Sequence, residues 1–386
     1  MKNIQLLNKI AKVGTDELCP ADYNIGTDVE NPDAIMVRSA VMHDMTFGPE
    51  LRAIARCGAG VNNIPVDRCS DEGIVVFNTP GANANGVKEL AIAAILLSAR
   101  KVTDGIAWAN SLAGTEGVAK AVEAGKSAFG GTEIAGKTLG VIGLGAIGGM
   151  VANTALHLGM NVTGCDPYLT VEAAWNISRS VKKAATFDDV FKSADYLTLH
   201  VPATPETKNM INAESIAMMK DGVKIINLSR ADLVNAADMK AAIASGKVSA
   251  YVTDFPTEET VNVPGIITIP HLGASTAESE DNCAVMAARQ LDDFLKTGNI
   301  KNSVNFPNVS LAHTPGFKRI CIFHKNVPAI IAQVSGALSE QGINIENMIN
   351  RSKGNNAYTL VETDSVSEDV VAKLKAIDGV ARAYVI

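Results

Sequence analysis

The run from Thr138 to Asp166, TLGVIGLGAIGGMVANTALHLGMNVTGCD, narrows the choice of folds more than any other stretch. Leu139 to Ile142 is a short apolar run of the length of a buried parallel strand, and apolar residues recur at helical spacing from Ala146 to Leu158. A second strand-like run, Asn161 to Gly164, leads to Asp166. Between the first strand and the helix stand Gly143, Gly145 and Gly148, in G-x-G-x-x-G spacing. In a βαβ unit that binds a dinucleotide each glycine has a task. Gly143 permits the tight turn, Gly145 lets the backbone approach a pyrophosphate, and Gly148 lets the helix pack closely on the strand. The anion then meets unpaired amide hydrogens, as at Ala146 and Ile147, and the positive end of the helix dipole. Asp166 lies 21 residues after Gly145, where a carboxylate can hold the ribose hydroxyls of NAD and repel the 2′-phosphate of NADP. The glycine pattern alone is a common turn; strand, helix, second strand and terminal Asp in register make it specific.

The bulk properties exclude several classes. At 386 residues the chain has room for two or three domains, each with its own core. A net charge of −7 without a long Lys/Arg run speaks against a nucleic-acid platform. The longest apolar stretch, Leu90 to Ala99, is too short to span a bilayer, and Met1-Lys2-Asn3 leads into a strand-like segment rather than a secretory signal. Six cysteines (19, 57, 69, 165, 283 and 321) form no C-x-x-C pair. They read as reduced thiols of a cytoplasmic protein, and no metal site is expected.

Before the glycine run, Ile4–Leu7, Ala34–Val37, Arg52–Arg56 and Val75–Asn78 read as parallel strands of an α/β unit without the dinucleotide pattern, which suits a substrate domain. After Asn78-Thr79-Pro80-Gly81 a helix starts near Asn85, and residues 101–137 are Ala/Gly-rich with no clear period. Beyond Asp166 the alternation resumes with Tyr196–His200, Val223–Leu228, Val248–Thr253 and Ile266–Ile269. That predicts a doubly wound parallel sheet, with ligands at the carboxyl ends of its strands. A long helix over about 275–296 returns the chain to the first domain, and 298–316 reads as a linker. The last 70 residues follow the order βαββαβ, a ferredoxin-like module. The fold class is therefore α/β: two Rossmann-like doubly wound domains, one from 1–85 plus 275–305 and one from 86–274, and a C-terminal module at 317–386.

Three polar residues near strand ends suit reversible oxidation of an alcohol beside a carboxylate: Arg230 in NLSRADLV, Glu258 in TDFPTEE and His271 in IPHLGAST. Arg230 can clamp a carboxylate and keto oxygen with its planar fork. His271 can take the hydroxyl proton as hydride leaves. Glu258 would orient the imidazole and favour its protonated form.

At this point the chain resembles the D-2-hydroxyacid dehydrogenase family over essentially its whole length. The anchors are VRSA (37–40), RCGAGVNNI (56–64), FNTPGANANGVKEL (77–90), GTEIAGKTLGVIGLGAIG (131–148), LHVPATPETKNMI (199–211), NLSRADLV (227–234) and PHLGAST (270–276). The resemblance implies Arg230, Glu258 and His271 as the catalytic set and NAD as cofactor. The cofactor contacts it implies are Gly143, Gly145, Ala146, Ile147, Gly148 and Asp166; His200, Val201, Pro202 and Thr207; Leu228, Ser229 and Arg230; and Asp254, His271 and Gly273. The family's D-V-F-x-x-E pattern stands here as Thr253-Asp254-Phe255-Pro256-Thr257-Glu258, with the Asp shifted by one place. Asp254 is expected near the nicotinamide carboxamide, and Glu259 stays open as the orienting acid.

For the substrate, the resemblance implies 3-phospho-D-glycerate, oxidised to 3-phosphohydroxypyruvate in the first step of serine synthesis. Gly60 and Val61 would meet its carboxylate, Arg38, Ser39 and Asn83 the rest of it, with Arg38 foremost for the phosphate and Lys126 as a further cation. Another 2-hydroxyacid dehydrogenase, acting on D-lactate, D-glycerate, glyoxylate or 2-ketoglutarate, and a non-enzymatic NAD-sensing role are the alternatives. The C-terminal module resembles an ACT domain, which implies L-serine as an effector near His324, Asn326 and Asn344; Ala329 stands where the family commonly has Gly. A homo-oligomer is also implied.

Overall fold

Short apolar runs become parallel strands where both faces of a sheet are covered, and here the strands Ala34–Val37 and Tyr196–Leu199 are buried at every residue. In the computed structural model, which describes residues 1–386, the chain forms two units, residues 1–83 with 277–386 and residues 84–276.

The 84–276 unit holds seven parallel strands: Thr138–Ile142 (β6), Asn161–Cys165 (β7), Lys182–Lys183 (β8), Tyr196–Leu199 (β9), Val223–Asn227 (β10), Val248–Thr253 (β11) and Ile266–Thr268 (β12), counted after the five of the other unit. Their order is β12-β11-β10-β9-β6-β7-β8. The chain winds outward from β6 through β7 to β8, then starts again on the other side of β6 with β9. That reversal opens a crevice beyond the carboxyl ends of β6 and β9. The Ala84–Ala99 and Ala146–His157 helices cover one face with Ala91, Ala94, Ile95, Val151, Ala152 and Ala155.

The other unit carries two sheets. Lys2–Leu7 (β1), Tyr23–Gly26 (β2), Ala34–Val37 (β3), Ala53–Arg56 (β4) and Val75–Phe77 (β5) form a parallel sheet in the order β2-β1-β3-β4-β5. The Ala277–Thr297 helix buries Ala287, Leu291 and Phe294 in its core. Lys318–Lys325 (β13), Ile345–Lys353 (β14), Asn356–Thr363 (β15) and Val380–Val385 (β16) form an antiparallel sheet ordered β14-β15-β13-β16. Two helices, Ile330–Ser339 and Glu368–Lys375, pack on one face of it, completing the βαββαβ order.

The opposite face of that antiparallel sheet is buried too. Successive side chains of a strand point to opposite faces, so Ile320 and Ile322 of β13 meet the two helices, while Cys321 and Phe323 join the core of the parallel-sheet domain. Phe323 stacks on Tyr358 with ring centroids 4.6 Å apart and meets Phe306 edge-on at 5.0 Å. The seam is fastened by polar bonds. Tyr358 donates to the Gly298 carbonyl at 2.8 Å, Arg382 donates to the Leu51 carbonyl, and the Arg52 guanidinium lies 4.6 Å over the Tyr384 ring. Arg319, fully buried, pairs with Glu362 at 2.8 Å and donates to the carbonyls of Thr297 and Leu311. Burial alone would push the Glu362 carboxyl up; hydrogen bonds from Arg319, Asn347 and Thr314 outweigh it and leave it below its ordinary value.

Candidate active site

The three glycines of the β6 turn differ in what demands them. Gly143 has φ +87°, a conformation that side chains rarely adopt. At Gly148 a Cβ would stand 1.9 Å from the Gly143 carbonyl oxygen, so the helix can approach the turn only without one. At Gly145 no protein atom lies within 4 Å of where a Cβ would be, and its φ of −67° suits any residue. Nothing inside the protein requires glycine there, and the open space leaves the backbone of the helix N-terminus accessible to a ligand. Ala146 and Ile147 open that helix. Asp166 holds the turn from the end of β7, accepting from the amides of Leu144 at 2.8 Å and Tyr168 at 2.9 Å. Each oxygen retains capacity for a ribose hydroxyl. The turn thus fits a dinucleotide.

The neighbouring strand ends of the same unit carry the rest. His200 follows β9, its amide bonded to the Ile142 carbonyl at 2.7 Å. Its ring Nε2 lies 2.9 Å from the Thr198 hydroxyl, Nδ1 is buried without a partner, and burial pushes the imidazole down to about 4, so it is neutral near pH 7. Thr207 ties down the loop through Pro202, donating to its carbonyl at 2.7 Å and accepting from the Thr204 amide at 2.8 Å. Ser229 donates to the Leu199 carbonyl at 2.6 Å, and Arg230 stands exposed beyond the buried Leu228. The fully buried Asn227 fixes this bend by donating to the Arg230 carbonyl at 2.8 Å and accepting from the Ser229 amide at 3.2 Å. Sequence reasoning misses Asn227; an amide at the last position of an otherwise apolar strand is the available signal.

Asp254 is the first residue past β11 and only 1% exposed, and neither carboxylate oxygen completes a hydrogen bond. Its oxygen lies near Gly273, whose added Cβ would stand 3.7 Å away. Burial raises its pKa, and the His271 charge, the nearby backbone amides of Asp254 and Gly273 and the Arg230 charge draw it partly back. Asp254, His271 and Arg230 therefore share one electrostatic environment. His271 is exposed, its ring 4.8 Å from that of Phe255. Glu258 and Glu259 are both exposed, and neither forms an ion pair. Counting five residues on from Asp254, as D-V-F-x-x-E does, reaches Glu259. Lys126 is exposed and pairs with its local neighbour Glu123 at 2.5 Å.

In the other unit the VRSA loop follows β3. Asn8 holds it, accepting from the amides of Ser39 at 3.0 Å and Ala40 at 2.6 Å. Arg38 pairs with Glu280 at 2.5 Å. Beside it stands a residue that sequence reasoning misses. Arg56 ends β4, and its guanidinium lies across Gly58, where a Cβ would sit 1.3 Å from Nη1. Gly58 has φ +150° and its carbonyl accepts from Thr79 at 3.0 Å, while Asn78 donates to the Ala59 carbonyl at 2.7 Å. Those bonds shape the loop through Gly60 and Val61. Burial lowers the Arg56 pKa, the Arg38 charge lowers it further, Nε has no partner, and no carboxylate acts on it; the neighbouring Cys57 and Cys283 thiols are held protonated by their own burial. An arginine at the end of an apolar strand and before a glycine loop is the signal. Asn83, half-buried, follows the Thr79–Ala82 turn.

Residues 92–273 match the model of the D-isomer specific 2-hydroxyacid dehydrogenase NAD-binding domain. The D-3-phosphoglycerate dehydrogenase of Haemophilus influenzae is 32% identical over 350 residues, covering 88% of this chain and 82% of its own. This chain belongs to the D-2-hydroxyacid dehydrogenase family. The D-3-phosphoglycerate dehydrogenase of Methanocaldococcus jannaschii is 35% identical over 315 residues, and the match covers 79% of this chain but 58% of that protein's length. Among solved structures, the NAD+-bound 3-phosphoglycerate dehydrogenase of Entamoeba histolytica matches with a TM-score of 0.62 and 27% identity, covering 79% of this chain and 98% of that one.

The family assignment leaves the C-terminal residues to be placed by geometry. His324 is buried, with Nδ1 2.8 Å from the Lys325 carbonyl and Nε2 2.9 Å from the Thr359 hydroxyl, so both ring nitrogens are engaged within the module. Asn326 is exposed and donates to the Gly354 carbonyl at 3.2 Å, and Asn344 is exposed just before β14. Ala329 caps the Ile330–Ser339 helix with φ +68°. No helix is long and apolar enough to cross a membrane.

Proposed function

We propose that this chain catalyses NAD-dependent oxidation of 3-phospho-D-glycerate to 3-phosphohydroxypyruvate, the entry step of L-serine synthesis. The observation that carries the phosphate reading is Arg56, a partly buried guanidinium without a carboxylate, beside Arg38, which pairs with Glu280. Two cations against one carboxylate favour a dianionic substrate. The names of the relatives support the same reading.

The bound NAD supplies the hydride acceptor. Arg230 clamps the substrate carboxylate and the C2 oxygen through a bidentate fork. His271 takes the C2 hydroxyl proton as that carbon loses hydride, and returns it in the reverse direction. Glu258, with Glu259 as its neighbour in the count from Asp254, orients the imidazole. Gly60, Val61, Ser39 and Asn83 position the substrate, with Lys126 as an outer cation. The C-terminal module acts as an ACT-type effector domain, with L-serine at the exposed Asn326 and Asn344, beside the strand end that the buried His324 holds in place. A homo-oligomer is supported by the Val102–Ser111 and Val118–Gly125 helices, which bury no residue while exposing Val102, Ile106 and Val118.

Comparing NADH oxidation with phosphohydroxypyruvate and with hydroxypyruvate tests the substrate. The phosphorylated acid is expected to be favoured at least tenfold in kcat/KM; equal values would remove the phosphate claim.

A further inference from the structure

The hairpin between β14 and β15 reaches the parallel-sheet domain beside a cleft of about 650 Å³. Residues 302–304 run along the edge strand β5 there. Phe77 and Ser303 form an antiparallel bridge, Val304 donates to the Val76 carbonyl at 2.9 Å, and Asn78 donates to the Asn302 carbonyl at 3.3 Å. Lys353, the last residue of β14, donates to the Ser303 carbonyl at 2.9 Å, and Asn356 to the Asn305 carbonyl at 3.2 Å. The hairpin is thus fastened to a strip that is itself paired with β5.

The lining of this cleft is rich in donors and holds no carboxylate. Lys353 is an exposed residue overall, yet its ammonium is drawn in to Ser303, no acid lies within ion-pair distance, and burial is the sole influence lowering its pKa. One bond leaves two of its three N–H donors free. Asn308 accepts from the Asn302 amide through its carboxamide oxygen at 3.0 Å, which leaves its NH2 available, and Ser352 adds a hydroxyl. A cation without a counter-ion, flanked by amide and hydroxyl donors, matches a small anion. Asn78 lines the same cleft and donates to Ala59 in the loop after Arg56, while its own carbonyl accepts from Gln290 at 3.0 Å.

We infer that this cleft binds a small anion, a carboxylate or a phosphate, on Lys353 and Asn308, and that Asn78 passes its occupancy to the Gly58–Val61 loop. The site is separate from Arg38 and Arg56 and does not depend on the identity of the substrate. Its ligand acts as a regulator because the one residue shared by the cleft and the loop contacts is Asn78.

Calorimetric titration of the full chain with inorganic phosphate, and separately with malonate, tests the site in the wild type, Lys353→Gln, Asn308→Asp and Arg56→Met. Saturable binding of one of the two anions is expected in the wild type and in Arg56→Met, weakened at least tenfold in Lys353→Gln and Asn308→Asp. The phosphate and malonate arms decide which anion class is preferred. Asn308→Asp keeps the acceptor for Asn302 and the Lys353–Ser303 bond, so its loss of binding cannot be assigned to a detached hairpin. The same anion should shift the KM for the keto acid at least twofold more in the wild type than in Lys353→Gln, where only competition at Arg38 and Arg56 remains. Unchanged binding in Lys353→Gln, loss in Arg56→Met, an unmoved wild-type KM, or no saturable wild-type binding overturns the inference.

Discussion

The glycine turn after β6 and the arginine loop after β4 both present donors suited to an anion, by opposite means. The turn offers backbone amides and a helix dipole, so no net charge is desolvated and the region is at rest by itself. The loop offers a guanidinium partly withdrawn from water, with an unpartnered Nε and no carboxylate. The first is specified by steric exclusion of side chains. The second is specified by a charge whose stabilising partner must come from outside. Substitutions in the turn should therefore be felt as shape, and substitutions in the loop as lost affinity without lost stability.

The largest effect separates two glycines. Gly148→Ala places a Cβ 1.9 Å from a carbonyl and is expected to lose about 3 kcal/mol of stability, read from denaturant unfolding. Gly145→Ala should leave the unfolding midpoint within about 0.5 kcal/mol and weaken NADH binding about tenfold, as close backbone approach is lost. If both destabilise alike, the distinction between internal and ligand-imposed glycine fails.

Arg56→Met is next. Its kcat/KM for the phosphorylated keto acid should fall about 100-fold, with NADH affinity unchanged and Tm equal or higher, because truncating one member of a charge-assisted contact costs about 2–5 kcal/mol while removing an unpaired charge relieves desolvation. A matching loss of Tm would show that the guanidinium is a structural strut.

Asp254 extends the contrast to a buried anion. Its folded pKa is raised, chiefly by burial, with His271 and Arg230 drawing it back. The ionised form therefore opposes folding: the stability this group has below its unfolded pKa near about 4 is lost as pH rises through the folded value. Asp254→Asn should be more stable than the wild type by about 1 kcal/mol at pH 8, and the gain should vanish at pH 3. Thermal unfolding at the two pH values reads it; a gain independent of pH would contradict the charge argument. The smallest change measures backbone strain alone. Ala329 sits at φ +68°, and Ala329→Gly should stabilise by about 1 kcal/mol, visible as a rise in Tm.

The α/β architecture was readable because β6, β9, β10 and β11 are buried on both sides along most of their length and so appear as short, predominantly apolar runs, interrupted only by single polar residues such as Lys224 and Ser249. Tyr23–Gly26 and Lys182–Lys183 escaped because they are edge strands, polar along one side or made of lysine. The helices within 101–137 bury nothing, and a helix without a buried stripe leaves no period to read. At the site, the glycine spacing stood out, as did Arg230, Glu258 and His271 as polar residues near strand ends, while Arg38 came from the family resemblance alone. Arg56 did not stand out, because its significance lies in the acids missing around it, and an absence in space has no signature along a chain. The burial of the Asp254 carboxyl was hidden for the same reason.

The two-sided burial of β13 has a further consequence for handling this protein. Cutting the chain in the 306–316 stretch and discarding the C-terminal module would strip the cover from Phe294, Leu295 and Phe77, and the discarded piece would present Phe323, Tyr358 and Leu360 to water. Neither fragment is suited to life alone. Trimming at that point is expected to yield aggregates, whereas a nick that leaves both fragments present should keep them associated as a non-covalent pair.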